Sequence, residues 1–311
     1  MRYSAFPSDG RWMRGNLHSH TTLSDGLVEP AQQAADYRAM GYDFLSVTDH
    51  NVMHKLTELN CDGFLLLPGW ERDIPYGTTK CLHVVGQFPA DYPEDSFRRP
   101  KGDPEKMSMQ HLLDEMNGEN DFITLAHPVW SRMEPEEIRA LTGYHAIEVF
   151  NTGTERLCHA GRADILWDML LRDGRHVFCV ACDDTHGKTA KPDRFGGWVM
   201  VKAETLSVAD LLCALRAGHY YATQGPELNE FAIEDGRVII DCSPCEEVHI
   251  VTWPPRGRSI YNTEGSPLIH VECPLKGGER YVRVECVDAQ GQTAWSQPLW
   301  SNGADEPAFA L

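Results

Sequence analysis

Short apolar segments that alternate with helical segments constrain the fold of this chain more than any other feature. Apolar runs typical of strands lie at residues 13–17, 42–47, 64–67, 81–88, 122–126, 146–150, 176–182 and 198–202. Helical patterns lie at residues 29–40, 107–116, 155–172 and 209–217. This alternation is typical of a parallel α/β architecture. Polar residues that could bind a metal ion follow the ends of most of the predicted strands. Side chains from nearly every strand can meet at one site only if the strands form a closed ring, so we expect a (β/α) barrel rather than an open doubly wound sheet.

The pattern changes after Gly225-Pro226. Six short apolar strands separated by turn residues are predicted at residues 231–233, 238–240, 248–251, 268–271, 281–286 and 294–299, and no helix is indicated. We therefore predict two domains, a barrel formed by residues 1–225 and a small β-sandwich-like domain formed by residues 226–311. The second domain carries no cluster of candidate ligands, so we expect its role to be structural.

Composition excludes several classes of function. The chain has 311 residues and a formal net charge of −18, which argues against binding a nucleic-acid polymer. No run of 18 apolar residues indicates a membrane span. The start, Met1-Arg2-Tyr3, lacks the hydrophobic stretch of a signal peptide, so we expect a cytoplasmic protein. The sequence does not indicate an oligomeric state.

Two histidines, His18 and His20, stand one residue apart at the end of the first predicted strand. Side chains two residues apart on a strand point to the same side, so both imidazoles can hold one metal ion. Further nitrogen and oxygen ligands lie at or just beyond later strand ends, and the whole set is His18, His20, Asp25, His50, Glu71, His83, His127, Asp184 and His186. One ion takes about three or four protein ligands, so this set predicts two or three divalent ions with shared ligands. Histidine and carboxylate ligands without thiolate suit Mn²⁺, Fe²⁺ or Zn²⁺.

Two Cys-x-x-Cys pairs, Cys179/Cys182 and Cys242/Cys245, raise the question of a zinc or redox site. Cys179 lies in an apolar run that predicts a buried strand, where a thiol acts as a small hydrophobic group. Cys242 and Cys245 flank a predicted turn between strands. Isolated pairs of this kind are often incidental, so we expect neither pair to bind a metal or to have a redox role.

Five motifs in order resemble those of the polymerase-and-histidinol-phosphatase (PHP) family across about residues 14–225. They are His18-x-His20, Thr48-Asp49-His50, Gly69-x-Glu71, Ala126-His127-Pro128 and Asp184-x-His186. The resemblance implies a distorted (β/α)7 barrel that holds two or three metal ions, in a family whose members mostly hydrolyse phosphate esters. Residues 218–226, followed by a β domain, are similar to the branch of the family that includes carbaryl hydrolase and related amide hydrolases.

The same resemblance implies how the ligands are shared among three ions. One ion takes His18, His20, Glu71 and Asp184. A second shares Glu71 and adds His83 and His127. A third takes Asp25, His50 and His186.

The expected activity is hydrolysis of a small phosphorylated substrate by a hydroxide that bridges two metal ions. We expect the catalytic residues to be Asp49, His50, Glu71 and Asp184, with Asp49 either orienting a ligand histidine or donating a proton to the leaving group. Candidate substrate-binding residues are His54, Arg132, Lys188 and Arg194. The main alternative is a metal-dependent amide or carbamate hydrolase on the same barrel. A DNA-processing nuclease and a non-catalytic metal-binding module are further alternatives.

Overall fold

The computed structural model describes residues 1–76, 79–92, 96–302 and 309–311. Helices lie at α1 (Pro30–Ala39), α2 (Met109–Glu119), α3 (Pro135–Ala140), α4 (Thr152–Cys158), α5 (Asp164–Arg172) and α6 (Val208–Ala217), and a 3₁₀ turn lies at Thr57–Leu59. No helix in the described part of the chain combines the length and the apolar character needed to cross a bilayer.

Strands before residue 225 are β1 (Arg2–Ser4), β2 (Arg11–Asn16), β3 (Phe44–Leu45), β4 (Val52–His54), β5 (Leu65–Leu66), β6 (Gly69–Tyr76), β7 (Lys80–Gln87), β8 (Ser96–Arg98), β9 (Phe122–Leu125), β10 (Ala146–Asn151), β11 (Phe178–Cys182), β12 (Trp198–Ala203) and β13 (Tyr220–Thr223). Later strands are β14 (Leu228–Glu234), β15 (Arg237–Cys245), β16 (Glu247–Trp253), β17 (Arg258–Tyr261), β18 (Leu268–Pro274), β19 (Tyr281–Val287), β20 (Thr293–Ser296), β21 (Leu299–Ser301) and β22 (Phe309–Ala310). The α/β class predicted from the sequence is confirmed.

The strands are arranged in three sheets, and their described residues do not form one closed ring of hydrogen bonds. A seven-stranded sheet has the order β11-β10-β9-β7-β6-β4-β8, and a second sheet includes β13-β12-β2-β3-β5. Pairing is parallel at β2–β3 and β9–β10–β11 but antiparallel at β6–β7, β7–β9 and β2–β12. Only three residues separate Tyr76 from Lys80, which is too short for the crossover that a parallel pair needs.

The helix predicted at residues 155–172 is divided into α4 and α5. His159 ends α4 in the left-handed region with a φ of 55°, and Arg162 then pairs with Phe150 across an isolated bridge. Helix α4 begins three residues earlier than predicted because the Asn151 side chain accepts a hydrogen bond from the Thr154 amide and caps it. This start places the first turn of α4 beside the metal-ligand candidates.

The six short strands predicted after residue 225 are present as β14, β15, β16, β18, β19 and β20, and the structure adds β17, which was not predicted. The described residues there form no helix. Strand β14 pairs with β1 from the start of the chain, and β20 pairs with β13. Residues 303–308 of the predicted second domain lie outside the described residues. The division of the chain near residue 225 stays a prediction.

Backbone hydrogen bonds between loops bring the ends of β2, β3, β6 and β11 together. The Asp184 amide donates to the His18 carbonyl at 2.9 Å, and the His20 amide donates to the Thr185 carbonyl at 3.0 Å. The Thr48 amide donates to the Ser19 carbonyl at 2.7 Å. The segments that carry the candidate ligands are therefore fixed to one another by the main chain.

Candidate metal centre

The nine side chains predicted as metal ligands converge on one buried cluster. They come from the loops after β2, β3, β9 and β11 and from the paired strands β6 and β7, which carry Glu71 and His83. His83 approaches from within an antiparallel strand, so it departs from the expected placement at a parallel strand end. At Gly26 an added Cβ would lie 2.5 Å from the His20 carbonyl oxygen, so only glycine lets the loop that carries Asp25 pass this close.

Glu71 and Asp184 are the carboxylates shared by most of the histidines. His18 Nε2 lies 3.4 Å from Glu71 Oε1 and 3.2 Å from Asp184 Oδ1. His20 Nε2 lies 3.3 Å from Glu71 Oε2 and 3.1 Å from Asp184 Oδ1. These four residues form the group that the PHP resemblance implies for one ion.

A second group surrounds the other side of Glu71. His83 Nδ1 lies 3.0 Å from Glu71 Oε1, and His50 Nδ1 lies 3.0 Å from Glu71 Oε2. His127 Nε2 lies 3.3 Å from Glu71 Oε1 and 3.8 Å from Asp184 Oδ2. His50 is therefore closer to this group than the resemblance implies, and His127 lies between the first two groups.

A third group forms at the more exposed end of the cluster. Asp25 Oδ1 lies 3.3 Å from His186 Nε2 and 3.8 Å from both His50 Nε2 and His20 Nδ1. The resemblance implies Asp25, His50 and His186 here, and the structure adds the second nitrogen of His20.

In the part of the chain that the structure describes, several buried ligand atoms of this cluster make no hydrogen bond of acceptable angle, even where a neighbouring atom is close. They are His20 Nδ1, His50 Nδ1, Glu71 Oε2 and Asp184 Oδ1. A buried lone pair without a partner costs free energy, and a bound cation removes that cost. The donor set and these unpartnered atoms fit divalent ions of the Mn²⁺, Fe²⁺ or Zn²⁺ type.

The mutual charge of the cluster shifts the pKa values of its members. Burial opposes ionisation of Glu71 and Asp184, but the surrounding histidines outweigh burial and hold both pKa values below their usual range. Burial likewise opposes protonation of His50, His83 and His186, and neighbouring carboxylates raise their pKa values.

His18 and His20 differ although they stand one residue apart. Burial opposes protonation of His18, but Asp184, Glu148 and Glu71 raise its pKa well above the usual value. Burial and the neighbouring His186 and His50 lower the pKa of His20 to about 4. His20 is therefore neutral at neutral pH, and one of its two ring nitrogens has a lone pair available to a metal ion.

Glu148 supports two of the ligands and was not among the predicted site residues. Its Oε1 lies 2.6 Å from His18 Nδ1, and its Oε2 accepts from the His127 amide at 2.8 Å. A carboxylate behind a ligand histidine fixes the ring and its tautomer. Its position on the predicted strand at residues 146–150 was the available sequence signal, but no local motif identified its partner.

The neighbouring aspartates 183 and 184 face different surroundings. Asp184 points into the cluster with a φ of 52°, and His127 also has a positive φ, at 25°. Asp183 accepts hydrogen bonds from Tyr37, Thr152 and the amides of residues 195–197. Asp183 therefore anchors the loop after β11, and Asp184 is the candidate ligand.

Asp49 is buried, and its described partners are Thr21, Ser24 and His54 rather than a ligand histidine. Its carboxylate accepts from Thr21 N at 2.8 Å, Thr21 Oγ1 at 2.6 Å and Ser24 Oγ at 2.5 Å, and it lies 3.2 Å from His54 Nε2. Burial raises the pKa of Asp49, but these hydrogen bonds outweigh burial and hold it below its usual range. The carboxylate thus fixes the start of the loop that carries Asp25.

A cavity of about 240 Å³ opens above the cluster. Its walls include Lys188, Trp130, Thr154 and Leu157. Lys188 Nζ lies 2.8 Å from Asp25 Oδ2, so this predicted substrate-binding residue reaches the site. An adjoining cavity shares Asp25, His50, His83 and Trp130 and adds Arg98, the last residue of β8, and Lys101, which follows β8.

The other three predicted substrate-binding residues, Arg132, Arg194 and His54, are not among the described residues that line these two cavities. Arg132 is exposed, and Arg194 pairs with Asp36 on α1 at 2.5 Å. His54 is buried against Asp49. All three were predicted because they follow candidate ligands closely in the sequence. Closeness in the sequence does not show in which direction a side chain points.

Comparison of the sequence with known protein families and with curated proteins gives no match. Among solved structures, the chain is similar to a two-domain protein of Bacteroides vulgatus described as containing a predicted PHP-like metal-dependent phosphoesterase. The identity is 15%, the TM-score is 0.49, and the similarity covers 91% of this chain and 93% of that chain.

Two further solved structures are similar at the same identity of 15%. One, described as a metal-dependent phosphoesterase of Bifidobacterium adolescentis, has a TM-score of 0.42 and covers 67% of this chain and 97% of that chain. The other is an amidohydrolase of Chromobacterium violaceum solved with bound sulfate and no metal. It has a TM-score of 0.41 and covers 55% of this chain and 87% of that chain. The resemblance of residues 218–226 to the branch of the family that includes carbaryl hydrolase stays a prediction. The description of the Bacteroides vulgatus protein names the same family, PHP, that the sequence motifs resemble.

Proposed function

We propose that this chain is a metal-dependent hydrolase that cleaves the phosphate ester bond of a small phosphorylated molecule. The observation that carries the proposal is the cluster of nine nitrogen and oxygen ligands around Glu71 and Asp184 at the floor of a cavity. A structural metal site needs about four ligands in a closed shell, whereas this set is larger and opens to the surface.

Two or three divalent ions are proposed to occupy the cluster. One group would use His18, His20, Glu71 and Asp184, a second Glu71 with His83 and His50 or His127, and a third Asp25, His50 and His186. Such ions supply Lewis acidity and activate water for attack at neutral pH.

The chain's own residues prepare the site for an anionic substrate. Lys188 borders the cavity, and Arg98 and Lys101 border its extension. Arg98 is exposed, and its guanidinium donates to the Leu23 carbonyl at 2.6 Å, which leaves its charge unneutralised by that contact. Lys188 is paired with Asp25 and Lys101 with Asp73. All three cations have further N–H groups for charge-assisted hydrogen bonds to phosphate oxygens.

The cavity also has apolar lining residues, Trp130 and Leu157. The Trp130 ring lies 5.0 Å from the His127 ring and 5.5 Å from the His83 ring, and Leu157 is 63% exposed at the cavity. These apolar residues suit an apolar or aromatic leaving group. They also favour a second candidate function, hydrolysis of an amide or carbamate with an uncharged aromatic group, because that substrate needs no anion-binding residues.

The arrangement of the strands supports a distorted barrel as the scaffold. We propose that residues 1–225 form this scaffold and that residues 226–311 form a β-sandwich-like domain beside it. The main-chain hydrogen bonds that join the loops after β2 and β11 support closure of the strand ends around the cluster.

The test is turnover by manganese-loaded protein on an aryl phosphate monoester, an aryl phosphodiester and an aryl carbamate. The proposal predicts cleavage of a phosphate ester that is lost in Asp184→Asn at equal manganese concentration. Cleavage of the carbamate alone would favour the second candidate. No turnover of any substrate by fully loaded protein would support a non-catalytic metal-binding module.

A further inference from the structure

Three cysteine sulfurs meet in the interior of the C-terminal β structure, outside the nine-ligand centre. The Sγ atoms of Cys242, Cys245 and Cys286 all lie within 4.8 Å of one another. All three residues are buried, and Cys242 retains 6% of its exposed surface. None of the three is in a disulfide.

The three cysteines come from two different sheets. Cys242 and Cys245 lie on β15 of the four-stranded sheet, and Cys286 lies on β19 of the eleven-stranded sheet. Val238 and Ile240 of β15 pack with Val284 of β19 in one apolar core. The sulfur triangle therefore spans the interface between the sheets.

An irregularity in β15 is what turns both of its cysteines inward. Residues three apart on a regular strand point to opposite faces. Asp241 lies opposite His270 and Cys245 lies opposite Leu268, so four steps on β15 match two on β18. The resulting bulge leaves Pro244 exposed and buries Cys245 beside Cys242.

We propose that Cys242, Cys245 and Cys286 bind one soft divalent cation such as Zn²⁺, which links the two sheets. Two thiolates at about 2.3 Å from a tetrahedral zinc ion are separated by about 3.8 Å. The sulfurs all lie within 4.8 Å of one another, so the triangle can close on an ion with small side-chain shifts. Three thiols release three protons on binding, and a divalent ion then leaves one net negative charge. Without the cation, three thiolates could not be buried in this apolar core.

The Leu268 carbonyl is a candidate for the fourth ligand of a tetrahedral ion. Cys242 Sγ donates to this oxygen at 3.5 Å. A Cys-x-x-Cys pair alone did not predict the site, because its third cysteine lies on another strand whose approach is visible only in the fold. The inference is independent of the proposed hydrolase activity.

Cadmium distinguishes this site from the nine-ligand centre, because only a thiolate site gives an ultraviolet sulfur-to-cadmium charge-transfer band. Metal-free, fully reduced protein is titrated with Cd²⁺, and the band and the cadmium NMR spectrum are recorded. The proposal predicts one thiolate-bound Cd²⁺ per chain with a resonance separate from those of nitrogen and oxygen sites. Zn²⁺ bound beforehand at this site should be released as Cd²⁺ binds, because thiolates prefer the softer ion.

Variants assign the band to the triangle. Cys286→Ala and Cys242→Ser should each lose most of the band, and two independent positions guard against loss through misfolding. Cys273→Ala is the matched control, because Cys273 is buried in the same core but is not in the triangle. Cys81→Ala is a second control, because Cys81 borders the cavity near His83.

Three results would overturn the proposal. One is a titration of wild-type protein that gives no thiolate band. Another is a band that survives in Cys286→Ala and Cys242→Ser, or that disappears in Cys81→Ala. The third is a disulfide within the triangle. It would appear as eight free thiols, instead of the ten cysteines of the sequence, in protein unfolded without reductant, with the missing two mapped to the triangle.

Discussion

His18 Nδ1 lies 2.6 Å from Glu148 Oε1, and both side chains are fully buried. The contact directs His18 Nε2 toward Glu71 and Asp184. A carboxylate that orients a ligand histidine contributes to metal affinity without touching the ion.

We therefore expect Glu148→Gln to weaken metal binding by about 10- to 100-fold while the fold is retained. The amide keeps the shape of the side chain but removes the charge that orients His18. Titration of metal-free protein with Mn²⁺ by calorimetry measures the change. Glu279→Gln is the control, because Glu279 is a buried glutamate at another place, and affinity equal to wild type in Glu148→Gln would contradict the role given to Glu148.

Replacing Asp183 or Asp184 by asparagine is expected to have different effects on stability and on metal binding. Asp183→Asn removes a charge that accepts from Tyr37 and three backbone amides, so it should lower the free energy of unfolding by about 1.5–3 kcal/mol. Asp184→Asn should lose metal and turnover, with a smaller effect on the stability of the metal-free protein. Thermal unfolding and metal content of both variants check this, and reversed phenotypes would show that the ligand is Asp183.

Metal binding should strengthen as pH rises. The raised pKa values of His50, His83 and His186 mean that their protonation stabilises the metal-free fold below about pH 6.5, and this contribution is lost as pH rises through the folded-state values. The ions need neutral imidazole, so binding releases these protons.

The difference in Tm between manganese-loaded and metal-free protein should therefore grow between about pH 5.5 and about pH 8.5. The lowered pKa values of Glu71 and Asp184 act at the acid end, because the stability that they contribute above their usual values is lost as pH falls. A difference in Tm that stays constant or shrinks with rising pH would contradict the histidine assignments.

Substrate affinity should depend on Lys188 and Arg98 and not on Arg132. Lys188→Met and Arg98→Gln remove cations from the cavity walls and should each raise KM several-fold with little change in kcat. Steady-state kinetics on the phosphate ester identified in the substrate panel measure the effect. Arg132→Gln is the matched control, because Arg132 is exposed and lies outside the described cavity walls. An equal rise in KM for Arg132→Gln would restore it as a substrate-binding residue.

The sequence predicted which side chains meet in the cluster, because strand-end histidines and carboxylates stand in local patterns such as His18-x-His20. It also predicted the α/β class from the alternation of strands and helices. It could not predict that β6 and β7 pair antiparallel, since that depends on which neighbours the strands find. Partners such as Glu148 with His18, and Cys286 with Cys242, are separated along the chain and meet only through tertiary packing.

The sequence also could not predict in which direction a side chain points from a loop. Arg132, Arg194 and Lys188 all follow candidate ligands in loops, but only Lys188 borders the cavity. Arg194 lies against Asp36 instead, a contact that depends on where α1 packs.

The most direct test of the metal centre is anomalous diffraction from crystals grown with Mn²⁺. The account predicts two or three manganese peaks, one between His18, His20, Glu71 and Asp184 and another within reach of Glu71 and His83. A further peak is expected between Asp25, His50 and His186 if three ions bind. Crystals with excess manganese and no peak within bonding distance of Glu71 or Asp184 would contradict the account.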